Sequence, residues 1–167
     1  MIESILFLMF PAAMAFAGAM DLFTMTIPNR LTVGLVVAFL VAAVVAPLGW
    51  DQLVSHIGAG ALMLVIGIFM FSRGWFGGGD AKLLAAAALW FGFENLLQYL
   101  LMVSISGGAL VLVILTYRSM ALPLWMHRQH WAVRLHAKAG GIPYGIALAA
   151  AGLWLYPSSS WFTSLAM

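Results

Sequence analysis

Long apolar runs separated by short polar connections account for most of the chain. A helix crosses a bilayer with about 20 apolar residues, and the pattern predicts such helices at roughly residues 4–22, 31–49, 54–72, 81–97, 99–117 and 142–157. Pro28 favours an extended conformation at Ile27, and Asn29 is then placed to cap the second helix. The predicted fold class is all-α: a polytopic membrane protein with about six transmembrane helices in a single domain over residues 1–167.

The charged residues fall on two sides of this frame. Alternate connections hold the basic residues, which are Arg30, Arg73, Lys82, Arg118, Arg128, Arg134 and Lys138. The opposite side receives Glu3, Asp51 and Glu94. Because Lys and Arg are biased toward the cytoplasmic side of a membrane, we expect the three basic connections inside and both termini outside.

The connection over residues 118–141 is the only long one, and it is amphipathic. Its apolar residues Leu124, Trp125, Trp131 and Leu135 alternate with Arg128, Arg134, Lys138 and the three histidines His127, His130 and His136. Such a mixture is typical of a segment that lies in the headgroup region. We therefore predict an interfacial cytoplasmic segment in contact with membrane lipids.

The composition excludes several classes of function. The chain is 65% hydrophobic and 7% charged, with a mean hydropathy of +1.07, and it has no cysteine. Disulfides, thiol nucleophiles and thiolate zinc sites are therefore absent, and basic residues scattered among apolar spans argue against a nucleic-acid partner. The three interfacial histidines lack acidic neighbours and fit a solvated face better than a metal site. We expect neither a metal nor an organic cofactor.

Two carboxylates, Asp21 and Asp80, lie at the predicted cytoplasmic ends of the first and fourth spans, and hence at one membrane level. An acid at the edge of hydrocarbon is costly and is a functional candidate by default. Neighbouring aspartates cannot both ionise easily, so one keeps a proton while the other stays charged. An ionised and a protonated acid are what hydrolysis of a peptide bond without a metal requires. The helix dipoles favour the charged form at Asp80 and the protonated form at Asp21, which makes Asp80 the expected base.

Three consecutive glycines, Gly77, Gly78 and Gly79, precede Asp80. Glycine adopts backbone conformations closed to other residues and allows a substrate strand to approach the main chain. A protease must hold its substrate extended, so an open glycine loop beside a carboxylate suits that task.

Each of these residues also has a purely structural interpretation, and the residues alone leave it open. By its position, Asp21 could equally be an interfacial residue at a helix end. The segment from Gly77 to Asp80 could be an ordinary loop that ends in an aspartate N-cap. Lys82, two residues past Asp80, should point away from it and reach the headgroups. Asn29 fits a cap better than a catalytic group.

Three motifs in order resemble the type IV prepilin peptidases, the GxGD class of intramembrane aspartyl proteases. Residues 21–31, Asp-Leu-Phe-Thr-Met-Thr-Ile-Pro-Asn-Arg-Leu, resemble the family's aspartate followed by Ile-Pro-Asn. Residues 77–83, Gly-Gly-Gly-Asp-Ala-Lys-Leu, resemble its Gly-x-Gly-Asp-x-Lys-Leu, and residues 142–145, Ile-Pro-Tyr-Gly, its Pro-Tyr/Phe-Gly. The match is closest to the small CpaA/TadV-like branch, which serves Flp pili in bacterial tight adherence.

The resemblance implies a function at the bacterial inner membrane. It implies cleavage of the leader of Flp-type prepilins, and of pseudopilins as further candidates, after a glycine at the cytoplasmic boundary, with Asp21 and Asp80 as the catalytic pair. Substrate-binding or loop-shaping roles follow for Gly77, Gly78, Gly79, Lys82, Pro28, Asn29, Pro143, Tyr144 and Gly145. Larger relatives carry a cysteine-containing extension and also methylate the new N-terminus. This chain has no cysteine, so we expect proteolysis without N-methyltransferase activity.

Two other classes of function remain as alternatives. A small proton or cation carrier could use the paired acids as a relay, but it needs acids through the membrane depth, and the spans offer none between the two faces. A non-catalytic membrane factor of pilus or secretion assembly could keep the fold, although retention of both aspartates argues against it.

Overall fold

The computed structural model describes residues 2–46, 48–137, 140–159 and 161, with side chains from Leu6 onward. Every regular element in these residues is helical. The α-helices are α1 (Ile2–Thr24), α2 (Asn29–Val45), α3 (Trp50–Ser72), α4 (Gly78–Ser119), α5 (His130–His136) and α6 (Tyr144–Leu155), with short 3₁₀ helices at Leu124–Arg128 and Tyr156–Ser158. The predicted all-α class is confirmed.

Three of the described helices are long and apolar enough to cross a membrane. They are α1 over Leu6–Thr24, α3 and α4, and α2 is a shorter apolar helix. Their lipid-facing surfaces expose large apolar side chains such as Val44, Val65 and Leu97, which a bilayer would cover. The chain is therefore described below as a helical membrane protein.

Gly92 divides α4 into two helices. It has φ 61° and ψ 179°, whereas residues 78–91 (α4a) and 93–119 (α4b) are helical. The ring of Phe76, just before α4a, lies 6.2 Å from the ring of Tyr144, and a Cβ on Gly107 of α4b would lie 3.5 Å from Tyr144 Cε1. In one straight helix, residues 78 and 107 would stand about 44 Å apart at 1.5 Å per residue. The chain therefore reverses direction at Gly92.

Side chains from outside α4 satisfy the backbone at this reversal. A helix break leaves carbonyls before it and N–H groups after it without their usual partners. His56 Nδ1 lies 2.9 Å from the Leu89 carbonyl, and Trp161 Nε1 donates to the Trp90 carbonyl at 2.8 Å. The N–H of Phe93 donates to Ser55 Oγ at 3.0 Å. The reversal is thus capped from α3 and from Trp161.

An aromatic cluster fills the bundle beside the reversal. Trp90 packs against Phe10 with ring centroids 5.2 Å apart, against Trp161 at 5.5 Å and against Phe39 at 6.1 Å. His56 lies 5.5 Å from Phe39 within the same cluster. Phe10, Phe39 and Trp90 are fully buried, so this end of the bundle is closed by large side chains.

The observed boundaries correct two predictions. The division between the fourth and fifth helical segments falls at Gly92 rather than between residues 97 and 99, because glycine there adopts a positive φ that other residues rarely take. Asn29 is the first residue of α2 and not its cap, since Pro28 holds the N-cap position and the helix has no side-chain cap hydrogen bond.

The connection after α4b packs back onto the end of that helix. Tyr117 Oη donates to the Ala132 carbonyl at 3.2 Å, and His136 Nε2 lies 2.9 Å from the Met120 carbonyl. Leu124 and Trp125 are strongly exposed, and their place at the membrane interface stays a prediction. Lys138, one of its predicted basic residues, lies outside the described residues.

Candidate active site

The two aspartates lie together at the end of the bundle opposite the aromatic cluster. Asp21 is in the last turn of α1 and Asp80 is the third residue of α4, and their side chains are 5% and 8% exposed. Both line a cavity of about 200 Å³, so the two carboxyl groups face the same space. The structure thus brings together the two acids that the sequence analysis assigned to one membrane level.

Asp21 faces the N-terminus of α6. The backbone N–H of Gly145 donates to Asp21 Oδ2 at 2.7 Å. Gly145 is the second residue of α6, so this N–H is one of the groups at a helix start that have no partner within the helix. Such a helix end stabilises negative charge.

Asp80 lies at a second helix N-terminus, that of α4. Gly77 is the N-cap residue of α4, so Asp80 stands in the first turn, where backbone N–H groups without a helical partner favour negative charge. The alternative of an aspartate N-cap is therefore wrong, because Asp80 stands three residues past the cap. Since both acids face a helix N-terminus, helix dipoles no longer distinguish the base from the acid.

The glycines beside the acids are required for space. A Cβ on Gly145 would lie 2.7 Å from Asp21 Oδ2, and a Cβ on Gly77 would lie 2.7 Å from Asp80 Oδ2. A Cβ on Gly79 would lie 3.2 Å from Ile27 Cβ. Gly77 has an ordinary φ of −69°, and the described glycines with positive φ are Gly74 and Gly92. Residues 77–79 therefore do not use the positive φ that glycine permits, and the space beside the acids is what requires glycine there.

Lys82 and Asn29 join the first two motifs. Lys82 Nζ donates to Asn29 Oδ1 at 2.9 Å, which holds the start of α2 against the first turns of α4. Lys82 is exposed and its ammonium group binds Asn29, while its predicted orientation away from Asp80 and toward the headgroups stays a prediction. Asn29 also lines the cavity with the two acids.

The third motif supplies the start of α6. Pro143 is fully buried in the N-cap position of α6. The N–H of Tyr144 donates to the Ile142 carbonyl at 2.9 Å, so the chain turns tightly before the helix. This turn directs the Gly145 N–H toward Asp21.

Three cavity residues were not predicted as part of the site. Met25, Thr26 and Ile27 line the cavity, and Ile27 packs between Gly79 and Gly145. Met25 has φ 56°, an unusual value for a residue other than glycine. Their position directly before Pro28, in a motif already singled out, is the signal that could have indicated them.

Among the residues that the structure describes, no three His, Cys, Asp or Glu side chains come together as a potential metal site. His136 instead packs against Tyr117, with ring centroids 5.4 Å apart. The acidic groups of the described site are therefore the two carboxyl groups of Asp21 and Asp80.

These features define a helical membrane protein with a buried pair of aspartates at one end of its bundle. The family model of the type IV leader peptidases matches residues 8–112. This is well over half of the chain, and the match includes both Asp21 and Asp80. The chain belongs to the type IV leader peptidase family, which confirms the resemblance to prepilin peptidases. Comparison with curated proteins and with solved structures gave no match.

Proposed function

We propose that the protein is an aspartyl endopeptidase that removes the leader of Flp-type prepilins, with Asp21 and Asp80 as its catalytic pair. The observation that carries this proposal is that two buried carboxyl groups, those of Asp21 and Asp80, line one cavity. A buried pair of acids that share a proton can act as base and acid at once.

In the proposed reaction, the ionised aspartate takes a proton from a water molecule, and the oxygen of that water attacks the scissile carbonyl carbon. The protonated aspartate gives its proton to the carbonyl oxygen, which forms a tetrahedral diol. Collapse of the diol breaks the C–N bond: the aspartate protonated by the water gives its proton to the leaving nitrogen, and one hydroxyl of the diol returns its proton to the other aspartate as the carbonyl re-forms. The proton is best described as belonging to both acids, because their titrations are linked.

The size of the cavity fits an extended substrate segment. Its volume of about 200 Å³ is below the roughly 300–1,000 Å³ of sites for drug-sized ligands. A packed substrate helix does not fit such a space, whereas a peptide unit and a water molecule do. Gly79 and Asn29 line the cavity and offer backbone and amide groups to an extended chain.

The proposed protein acts in a membrane and on membrane-anchored pilin precursors. We place the protein in the bacterial inner membrane with the acids toward the cytoplasm, because the basic residues of the sequence cluster on that side of the predicted frame. Its partners are prepilins, and pseudopilins as further candidates. The proposed chemistry needs no metal or organic cofactor, and it includes no N-methylation.

The test is co-expression with a Flp-type prepilin, followed by immunoblotting for the leader. We expect Asp21→Asn and Asp80→Asn to abolish processing, and the control Asp51→Asn, an exposed acid at the start of α3, to process like wild type. Processing by either aspartate variant at the wild-type level overturns the proposed mechanism. Activity of the purified protein that is lost on chelation and restored by a divalent metal would also contradict it.

Two vesicle assays, with the wild-type protein and the aspartate variants, distinguish the peptidase from the two alternative functions. An assembly factor without catalysis leaves the prepilin uncleaved when the purified wild-type protein and substrate are mixed in vesicles. A proton or cation carrier moves ions across protein-containing vesicles and stops doing so in the aspartate variants. Cleavage without ion flux supports the peptidase.

A further inference from the structure

Arg118, near the end of α4b, binds the backbone that precedes α6. Its Nε donates to the Leu135 carbonyl at 2.7 Å, and its Nη2 donates to the carbonyls of Gly140 and Gly141 at 2.9 Å each. The side chain is half-buried. One guanidinium group thus joins the end of α4b, the end of α5 and the loop before α6.

The segment fixed in this way leads directly to the aspartate pair. Gly145, whose N–H donates to Asp21 Oδ2, follows Gly141 by four residues. Those residues have little freedom, because Pro143 is buried with its φ fixed by its ring, and Tyr144 N–H binds the Ile142 carbonyl. A displacement of the loop at Gly141 is therefore transmitted to the start of α6.

Other residues of α4b contact α6 within its first turn, at Tyr144 and Ala147. Ser106 Oγ lies 3.1 Å from the Ala147 carbonyl oxygen, and Gly107 lies against Tyr144. Arg118 acts on the loop itself, before the helix begins. The side of α6 and the entry to α6 are thus held by different residues of one helix.

We propose that Arg118 is a positioning residue of the peptidase, which holds the Gly145 N–H in hydrogen-bonding distance of Asp21. The inference rests on the proposed function, in which Asp21 is one of the two catalytic acids. Arginine suits this task because its planar group presents donors in a fixed fork, whereas lysine offers a single flexible ammonium group.

The first experiment measures steady-state cleavage of a purified Flp-type prepilin in detergent. We expect Arg118→Ala to lower kcat by about 10- to 100-fold, because small displacements in a catalytic site have effects of this size, while KM stays within about twofold. Arg118→Lys should recover only part of the loss. Arg128→Ala removes an exposed cation from the same connection and should behave like wild type.

The second experiment tests whether Arg118 acts through Gly145. Gly145→Ala, Arg118→Ala and the double variant form a cycle, and residues that act through one contact give non-additive effects. We expect Arg118→Ala to lower kcat much less in the Gly145→Ala background than in wild type. Added methylguanidinium should restore kcat to Arg118→Ala but not to Asp80→Asn.

Two results overturn the inference. One is an equal fold-loss from Arg118→Ala in both backgrounds, and the other is a loss that appears in KM or in the amount of folded protein without a change in kcat. Either result leaves the peptidase proposal intact, as long as wild type cleaves and Asp80→Asn does not. Cleavage by Asp80→Asn at the wild-type rate instead refutes the catalytic pair itself.

Discussion

The backbone N–H of Gly145 donates to Asp21 Oδ2 at 2.7 Å, although the two residues are 124 positions apart in the chain. A Cβ on Gly145 would meet Asp21 Oδ2 at 2.7 Å and Asp21 Cβ at 2.9 Å. We therefore expect Gly145→Ala to displace Asp21 and to lower the cleavage rate by at least about tenfold, as measured with purified prepilin.

Gly108→Ala is the matched control for this substitution. Gly108 lies in α4b, and a Cβ there would meet nothing within 4 Å. Alanine in a helix is more favourable than glycine by about 0.5–1 kcal/mol, so this variant should be as active as wild type and no less stable. A Gly145→Ala protein with wild-type activity would show that the contact is not needed.

Gly92→Ala tests the reversal between α4a and α4b. With φ 61° and ψ 179°, the backbone lies in a region that is nearly exclusive to glycine, and the strain for other residues is about 1–3 kcal/mol. The new Cβ would also lie 3.2 Å from the His56 ring. We expect a lower midpoint of thermal unfolding in detergent, whereas Gly34→Ala, with open space around it, should leave the midpoint unchanged or raise it.

Ser55→Ala removes the acceptor for the Phe93 N–H. This hydrogen bond lies at an exposed position, and a typical intramolecular hydrogen bond contributes about 0.5–1.5 kcal/mol, so the variant should unfold somewhat more readily. Hydrogen exchange at Phe93 should also become faster. The control is Ser104→Ala, because that hydroxyl donates to the Leu100 carbonyl of its own helix. Equal stability of the two variants would contradict a capping role for Ser55.

The Lys82–Asn29 hydrogen bond connects the first turns of α2 and α4 at an exposed position. We expect Lys82→Met and Asn29→Ala to show a coupling energy of about 0.5–1.5 kcal/mol in a double-mutant cycle of unfolding stability. The stability of the single and double variants in detergent provides the measurement. Strictly additive effects would mean that the bond does not contribute.

The apolar helices follow from hydropathy, because about 20 apolar residues have few stable states in a bilayer other than a helix. The common location of Asp21 and Asp80 follows from the sorting of charges along that frame. The break at Gly92 does not follow, because the apolar run continues through it and a glycine within a helix is tolerated in many contexts. The contacts of His56, Ser55 and Trp161 that stabilise the break depend on tertiary packing.

The contact between Gly145 and Asp21 could not be predicted either. A backbone N–H has no residue type that marks it, so the motif at residues 142–145 indicated a place in the chain but no partner. The same holds for Arg118, which is one of several basic residues in a connection assigned to the interface. Its carbonyl acceptors belong to backbone that the sequence does not distinguish.

The hydrogen bond from Trp161 Nε1 to the Trp90 carbonyl has a consequence for biosynthesis. The two residues are 71 positions apart, and a ribosome adding about 5–20 residues per second needs roughly 4–14 s to reach the second after the first. During that interval the nascent chain can insert α4a and α4b, but the Trp90 carbonyl has no indole donor, and hydrocarbon supplies no water in its place. The hairpin at Gly92 therefore becomes fully bonded only when this late segment has been made.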